Sequence, residues 1–244
     1  MTKEQNSLLA TIRQSGLSNT LTDIGEISLD QLLNDGIVRD FPIVGTLISL
    51  TKAGITVRDQ LFFKKVIKFL GPISEVTPNE RAKFLDSLSE SENKKANEYL
   101  LMYIDRLDSN DKAEWLGMAS SAYIRGEITF HQLHYFAHYL DHVFILVWKD
   151  YLKAIKPWAE KRGGVPRIAI DDALALEVVG FYDRKVKAIR QPAPDFQSIT
   201  LQDIEFQLVL SNGGWKFIQV VFGLFKSDDS MRPWLSVDIP GSRN

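Results

Sequence analysis

Cysteine is absent from the 244 residues. That excludes disulfides, thiolate metal sites and cysteine nucleophiles, and it fits a reducing compartment. A charge excess is absent too: 29 Lys and Arg stand against 31 Asp and Glu, a formal net charge of −2. No global field draws the chain to nucleic acid or anionic lipid, so such binding has to come from a local patch. No window offers the roughly 18 uninterrupted apolar residues of a membrane span. The best candidate, FPIVGTLISLTKAGITV, is broken by Lys52 and Gly54. The first residues, MTKEQNSLLATIRQSG, lack the basic and then apolar pattern of a secretory signal and read as a short helix. The expectation is a cytoplasmic protein, with peripheral contact at the inner membrane surface left open. GxSxG, GxxxxGK(S/T) and GxGxxG are all missing, and the five tryptophans are not interleaved with Lys and Arg as a stacking platform requires. Binding is therefore favoured over chemistry.

What is present is helix punctuation. Ser28 with Gln31, Thr77 with Glu80 and Thr129 with Gln132 match the capping box, in which a hydroxyl and a side chain three residues on satisfy backbone N–H groups at a helix start. Pro78 suits a first helical position, and Gly36, Gly71 with Pro72, and Gly126 supply stops. These marks predict helices near 3–14, 29–35, 42–53, 56–70, 78–89, 91–108, 110–125 and 130–156. The serine and charge run SLSESENKK reads as a solvated turn. After Trp158 the segment EKRGGVPR looks like a connection. Beyond it come a short helix from about Asp171 to Gly180, a strand in FYDRKVKAI, a strand with period two in DIEFQLVL, and a helix capped by Ser211. The adjacent Asp171 and Asp172 suit helix capping and the dipole. The predicted fold is mainly α, a helical bundle followed by a small α+β, winged-helix-like unit. Its expected parts are a helical domain over 1–157, the α+β unit over 165–226 and an irregular tail over 227–244.

Two stretches carry candidate function. In ITVRDQLFFKKVIKFL, Phe62, Val66, Phe69 and Leu70 make an apolar face, while Arg58, Lys64, Lys65 and Lys68 lie on the other side. Such a helix can lie on an anionic membrane, bind an acidic protein partner or meet a phosphate backbone. It can also be an ordinary bundle element with a solvated basic face. Preceded by the apolar IVGTLISLTKAG, the segment 42–70 is the first candidate partner or membrane surface, with a protein partner or self-association expected. Nucleic-acid binding has weaker support, from Arg184, Lys185 and Lys187 in the α+β unit.

The second stretch, HQLHYFAHYLDH, holds all four histidines. With His131 at zero on a helical wheel, His134, His138 and His142 fall at roughly −60°, −20° and +20°, one stripe. Leu133, Phe136, Ala137, Leu140, Val143, Phe144 and Val147 cluster on the opposite, core-facing side, with Tyr135, Tyr139 and Leu146 flanking the stripe. Histidines at i, i+4 can hold a divalent metal such as zinc, which makes a metal-dependent hydrolase on His134, His138 and His142 the alternative function. A third ligand is not evident, and no cofactor is the first expectation. The plainer consequence is a polar face that gains positive charge as pH falls below about 6.5.

The runs FPIVGTLISLTKAGITVRDQLFFKKVIKFL, TPNERAKFLDSL and YIDRLDSNDKAEWLGMASSAYIRGEITFHQL resemble a group of bacterial proteins. That group is marked by a "PIVGT" segment, an "RDxLFxKK" helix and a "DRLD…KAxxLG…AYxxGEI" core. The match covers roughly residues 38–156, and LEVVGFY with FQLVLSNGGWKFIQVVFG looks like the winged-helix-like end of the same layout. The group is loosely similar to the abortive-infection alpha proteins of phage defence. The resemblance implies a helical bundle acting in phage defence or a stress response, and it brings no catalytic residues with it.

Overall fold

A computed structural model of the chain describes residues 8–14, 43, 56–161, 167–189, 204–224 and 235–239. These residues are mainly helical, with a three-stranded antiparallel sheet near the C-terminus. Two compact units divide between Ala137 and His138, inside a helix. The connection expected in EKRGGVPR lies mostly outside the described residues.

The first unit contains α1 (Leu8–Arg13), α2 (Val57–Ser74), α3 (Pro78–Ser87), α4 (Glu90–Arg106), α5 (Asn110–Ile124) and the first half of α6 (Phe130–His142). Its helix starts are covalently cheap and chemically explicit. Thr56 with Asp59, Thr77 with Glu80 and Ser89 with Glu92 all form reciprocal capping boxes. At Thr129 the backbone N–H donates to Gln132 Oε1 at 2.9 Å and the hydroxyl accepts from Gln132 N–H at 3.2 Å. These hydrogen bonds hold the Asp59, Glu80 and Glu92 carboxyls below their ordinary pKa values. Gly126, with φ of 73°, closes α5 as expected.

The packing of α2 on α5 explains a glycine in the middle of a helix. A Cβ at Gly117 would overlap the Phe69 carbonyl of α2. With Ala113 and Ser121 also buried on α5, the two backbones approach without a side chain between them. The face α2 turns inward is Phe63, Val66, Phe69, Leu70 and Ile73. A second buried device is Arg81, 1% exposed, whose guanidinium donates to the carbonyls of Ile73, Ser74, Val76 and Gln14 at 3.3, 3.2, 2.5 and 2.7 Å. It thereby ties together the carbonyls at the C-terminal ends of α1 and α2.

The second unit contains the rest of α6, α7 (Ile145–Lys161), α8 (Ile170–Val178), β1 (Tyr182–Ile189), β2 (Ile204–Leu210), α9 (Asn212–Val221) and β3 (Val237–Ile239). The sheet order is β1-β2-β3, both pairings antiparallel, with a register shift in β1 between Val186 and Ala188. This is the small winged-helix-like α+β part of the fold. Its core is aromatic: Tyr139, Trp148, Tyr151, Phe181, Tyr182 and Phe217 are all buried. Trp148 stacks on Phe217 with centroids 5.1 Å apart, and Phe181 meets Trp148, Tyr151 and Phe217 edge-on. The Tyr182 hydroxyl donates to the Leu235 carbonyl at 2.9 Å, which resolves the polar end of a buried ring. The Gly213 and Gly214 pair lets α9 start against β1, because a Cβ on Gly214 would overlap the Phe181 carbonyl. Gly180, with φ of 77°, ends α8 and accepts from the Ser211 hydroxyl at 2.9 Å.

Several expectations need correction. The helix expected over 130–156 is two, interrupted at Val143 and Phe144. The interruption resets the wheel: Trp148, Tyr151, Ile155 and Trp158 form the buried stripe of α7, while Phe144, placed in the core by a single continuous helix, is 77% exposed. Tyr139, assigned to the flank of the histidine stripe, is buried at 2%. Pro72 does not stop α2, which runs to Ser74; in a last turn a missing N–H removes one bond without opening a buried gap. Ser89 turns SLSESENKK from a solvated turn into the start of α4. Phe63 rather than Phe62 is buried on α2. The tail is not wholly irregular, since β3 pairs with β2 through Phe206 with Ile239 and Leu208 with Val237. The helices expected at 29–35 and 42–53, and the Ser28 box, lie outside the described residues except for Ile43.

Candidate functional site

The basic candidate residues all lie on α2, and the bundle treats them differently. Arg58 bonds the Asp105 carboxylate at 2.8 Å. Lys65 donates to the carbonyls of Asp105 and Leu107 at 2.6 and 2.9 Å, an ammonium capping the C-terminal end of α4. Burial there lowers the Lys65 pKa, with Asp105 working in the opposite direction. Lys68 stands 3.8 Å from Glu114 of α5, a loose and exposed pair. Lys64 is exposed and forms no ion pair among the described residues. Two of the four cations, Arg58 and Lys65, therefore serve the α2 to α4 contact. Their acceptors come from 40 and more residues along the chain, which is why the sequence shows the cations but not their partners.

The remaining outward face is a stripe that sequence reasoning missed. Val57, Leu61, Lys64 and Lys68 follow the i, i+4, i+7, i+11 spacing, within an arc of about 60° on a helical wheel. Val57 is 71% exposed and Leu61 54%. Val57 and Leu61 lie outside the apolar face of Phe62, Val66, Phe69 and Leu70 expected from the sequence. The helix is apolar on both its inner side and part of its outer side, with the two lysines beside the outer apolar pair.

The histidines do not form the single solvated stripe expected. The His134 ring lies against Tyr99, with centroids 3.8 Å apart, and edge-on to Phe130 at 4.5 Å. Burial lowers its pKa, and His131 adds to the shift. The neutral ring is thus favoured, the reverse of a surface that protonates readily. His131 packs edge-on to Tyr135 at 4.8 Å. In the second unit the His138 and His142 rings are 4.1 Å apart, and His142 Nδ1 lies 3.1 Å from the His138 carbonyl and 3.6 Å from the Asp141 carboxylate. Among the described residues no group of three or more His, Asp or Glu is placed to hold a metal ion.

In the α+β unit, Arg184 forms a bidentate pair with Glu177 at 2.7 and 2.6 Å, and Lys187 bonds Asp238 at 2.6 Å. Lys185 is exposed. A phosphate backbone would have to displace internal carboxylates from two of these three cations. Together the two units define a mainly helical protein with an aromatic-cored α+β part. No helix among the described residues is long and apolar enough to cross a membrane. Comparison with protein-family models, with curated proteins and with solved structures finds no match.

Proposed function

We propose that this chain is a non-enzymatic binding protein whose docking surface is the outer face of α2, and that the surface it meets is an anionic membrane. One observation carries the reading: Val57 and Leu61 stand in solvent on the same narrow stripe as Lys64 and Lys68. A helix lying in a lipid interface needs that combination, apolar side chains entering the acyl boundary and ammonium groups at the headgroups. Long lysine stems reach outward past the apolar pair. Arg58 and Lys65 contribute by fixing α2 on the bundle, so that the stripe is presented on a rigid support. The setting we propose, bacterial phage defence or a stress response, rests on the sequence resemblance, and gene neighbourhood tests it.

Flotation with vesicles of phosphatidylcholine alone and with added phosphatidylglycerol tests the surface. Wild-type protein is expected to float with the anionic vesicles only, and Leu61→Ser with Lys64→Glu to abolish flotation while leaving the circular dichroism spectrum unchanged. Both substitutions fall on exposed side chains, so folding is spared. Wild-type protein that stays at the bottom of the gradient, or a variant that floats equally well, overturns the reading.

A further inference from the structure

The outer stripe of α2 changes character along its length. Val57 and Leu61, both exposed, occupy its first turns; Lys64 and Lys68 follow, and Gly71 adds no side chain. Glu75, the C-cap of the helix, is exposed and falls at the same wheel angle as Val57. At 1.5 Å per residue it stands about 27 Å further along the axis, with Lys64 about 10 Å from Val57. The bundle reinforces this gradient. Asp105 and Asp108, the carboxylates that the end of α4 and the turn after it bring beside the first half of α2, are already held by Arg58 at 2.8 Å and Lys112 at 2.9 Å. In the second half, Glu114 of α5 stands 3.8 Å from Lys68 and offsets part of its charge. On the outer stripe, apolar surface and net positive charge therefore gather toward the N-terminal end, and negative charge toward the C-terminal end.

We propose, resting on the membrane reading of α2 given above, that the helix meets the anionic bilayer obliquely and N-terminal end first. Val57 and Leu61 enter below the phosphates, Lys64 sits among them and Glu75 stays in water. A helix laid flat on this stripe would carry the Glu75 carboxylate to the depth of Val57, among lipid phosphates of like charge. Tilting by about 20° raises Glu75 by roughly 9 Å, about one Debye length at physiological ionic strength, where the surface field has largely decayed. The same tilt lowers the two apolar side chains, and Lys64 reaches back toward the headgroups along its stem. The opposite tilt, C-terminal end first, would put a carboxylate in the interface and leave the apolar pair in water. Only the first arrangement gives every group on the stripe the medium that suits it. The partner so defined is a lipid surface that admits two side chains between its anionic headgroups, rather than one that offers charge alone.

The cysteine-free chain makes depth measurable residue by residue. Val57→Cys, Leu61→Cys and Gly71→Cys are made singly in the full-length protein and labelled with an environment-sensitive fluorophore. The first two sites are exposed, and nothing lies within 4 Å of a Cβ at Gly71. Each protein is titrated with vesicles of phosphatidylcholine and phosphatidylglycerol. The labels at the Val57 and Leu61 sites are expected to brighten about threefold, as probes leaving water for the acyl boundary, while the label at the Gly71 site stays unchanged. Lipids brominated on the acyl chain should quench the first two labels and spare the third. Glu75→Lys removes the repulsion, and in that background the label at the Gly71 site is expected to brighten as well. Equal gains at all three sites, the largest gain at the Gly71 site, or a label there that Glu75→Lys leaves in water overturns the inference while the membrane reading stands. Unlabelled protein that does not float with the same vesicles overturns both.

Discussion

The two units solve the same packing problem with opposite materials. Each sets a helix directly on backbone through a glycine, Gly117 of α5 against the Phe69 carbonyl and Gly214 of α9 against the Phe181 carbonyl. Around Gly117 the fill is small, with Ala113 and Ser121, and the gain comes from bringing two long helices close. Around Gly214 the fill is large rings, and Trp148, Phe181 and Phe217 define the distances. The difference teaches where each unit is vulnerable. The first is sensitive to added atoms and the second to removed ones.

The largest expected effect is in the aromatic core. Phe217→Ala deletes a fully buried ring that touches Tyr139, Trp148, Phe181 and Phe222. It should cost about 4 kcal/mol, read as a fall in the urea midpoint with red-shifted tryptophan emission. Next comes Gly117→Ala in the first unit, where one methyl group has to separate α2 from α5, at about 2–3 kcal/mol. Its control is Gly71→Ala. Nothing lies within 4 Å of a Cβ there, so the alanine should be neutral or stabilise α2 by up to about 1 kcal/mol. Equal costs at the two glycines would break the contrast drawn between an intimate crossing and an ordinary helix surface.

The smallest effect is a pH dependence. The His134 pKa lies below its ordinary value of 6.5 in the folded protein. The unfolded chain therefore binds the proton first, and stability is complete above about pH 6.5 and declines as pH falls below it. His134→Phe keeps a ring against Tyr99 and Phe130 and should flatten that part of the curve, measured as urea midpoints between pH 7.5 and 5. A second decline belongs to the capping carboxyls of Asp59, Glu80 and Glu92. Lowered as they are, they lose their contribution only as pH falls below about 4.5. A slope in the upper window that survives in His134→Phe removes the assignment to this ring.

Local chemistry was the part of the fold legible in the sequence. The Thr77 and Thr129 caps, the Gly126 and Gly180 stops, the two strands and the Ser211 cap all depend on residues within three or four positions of one another. What was not legible depends on partners far along the chain. The interruption at Val143 and Phe144 contains no glycine or proline, and only the ring cluster around Trp148 explains why α7 begins a new phase. β3 is three residues long and exists because β2 offers an open edge. On α2 the cationic residues were visible, but Asp105, Leu107 and Glu114, which divide them into structural and outward-facing groups, were not. The outer apolar pair Val57 and Leu61 lies off the face formed by Phe62, Val66, Phe69 and Leu70, and only its exposure on the folded bundle distinguishes it.

The seat of α1 has a consequence in terms of volume. Where α5 crosses α2 at Gly117 backbone meets backbone and no space remains, whereas under Leu9 and Ile12 a cavity persists. Compression acts on internal voids and favours whichever state eliminates them. Hydrostatic pressure should therefore act on the first unit unevenly. The amide resonances of Leu9 and Ile12 should move at pressures that leave Phe69 and Gly117 undisturbed, making compression a gentler way than denaturant to free the N-terminal helix.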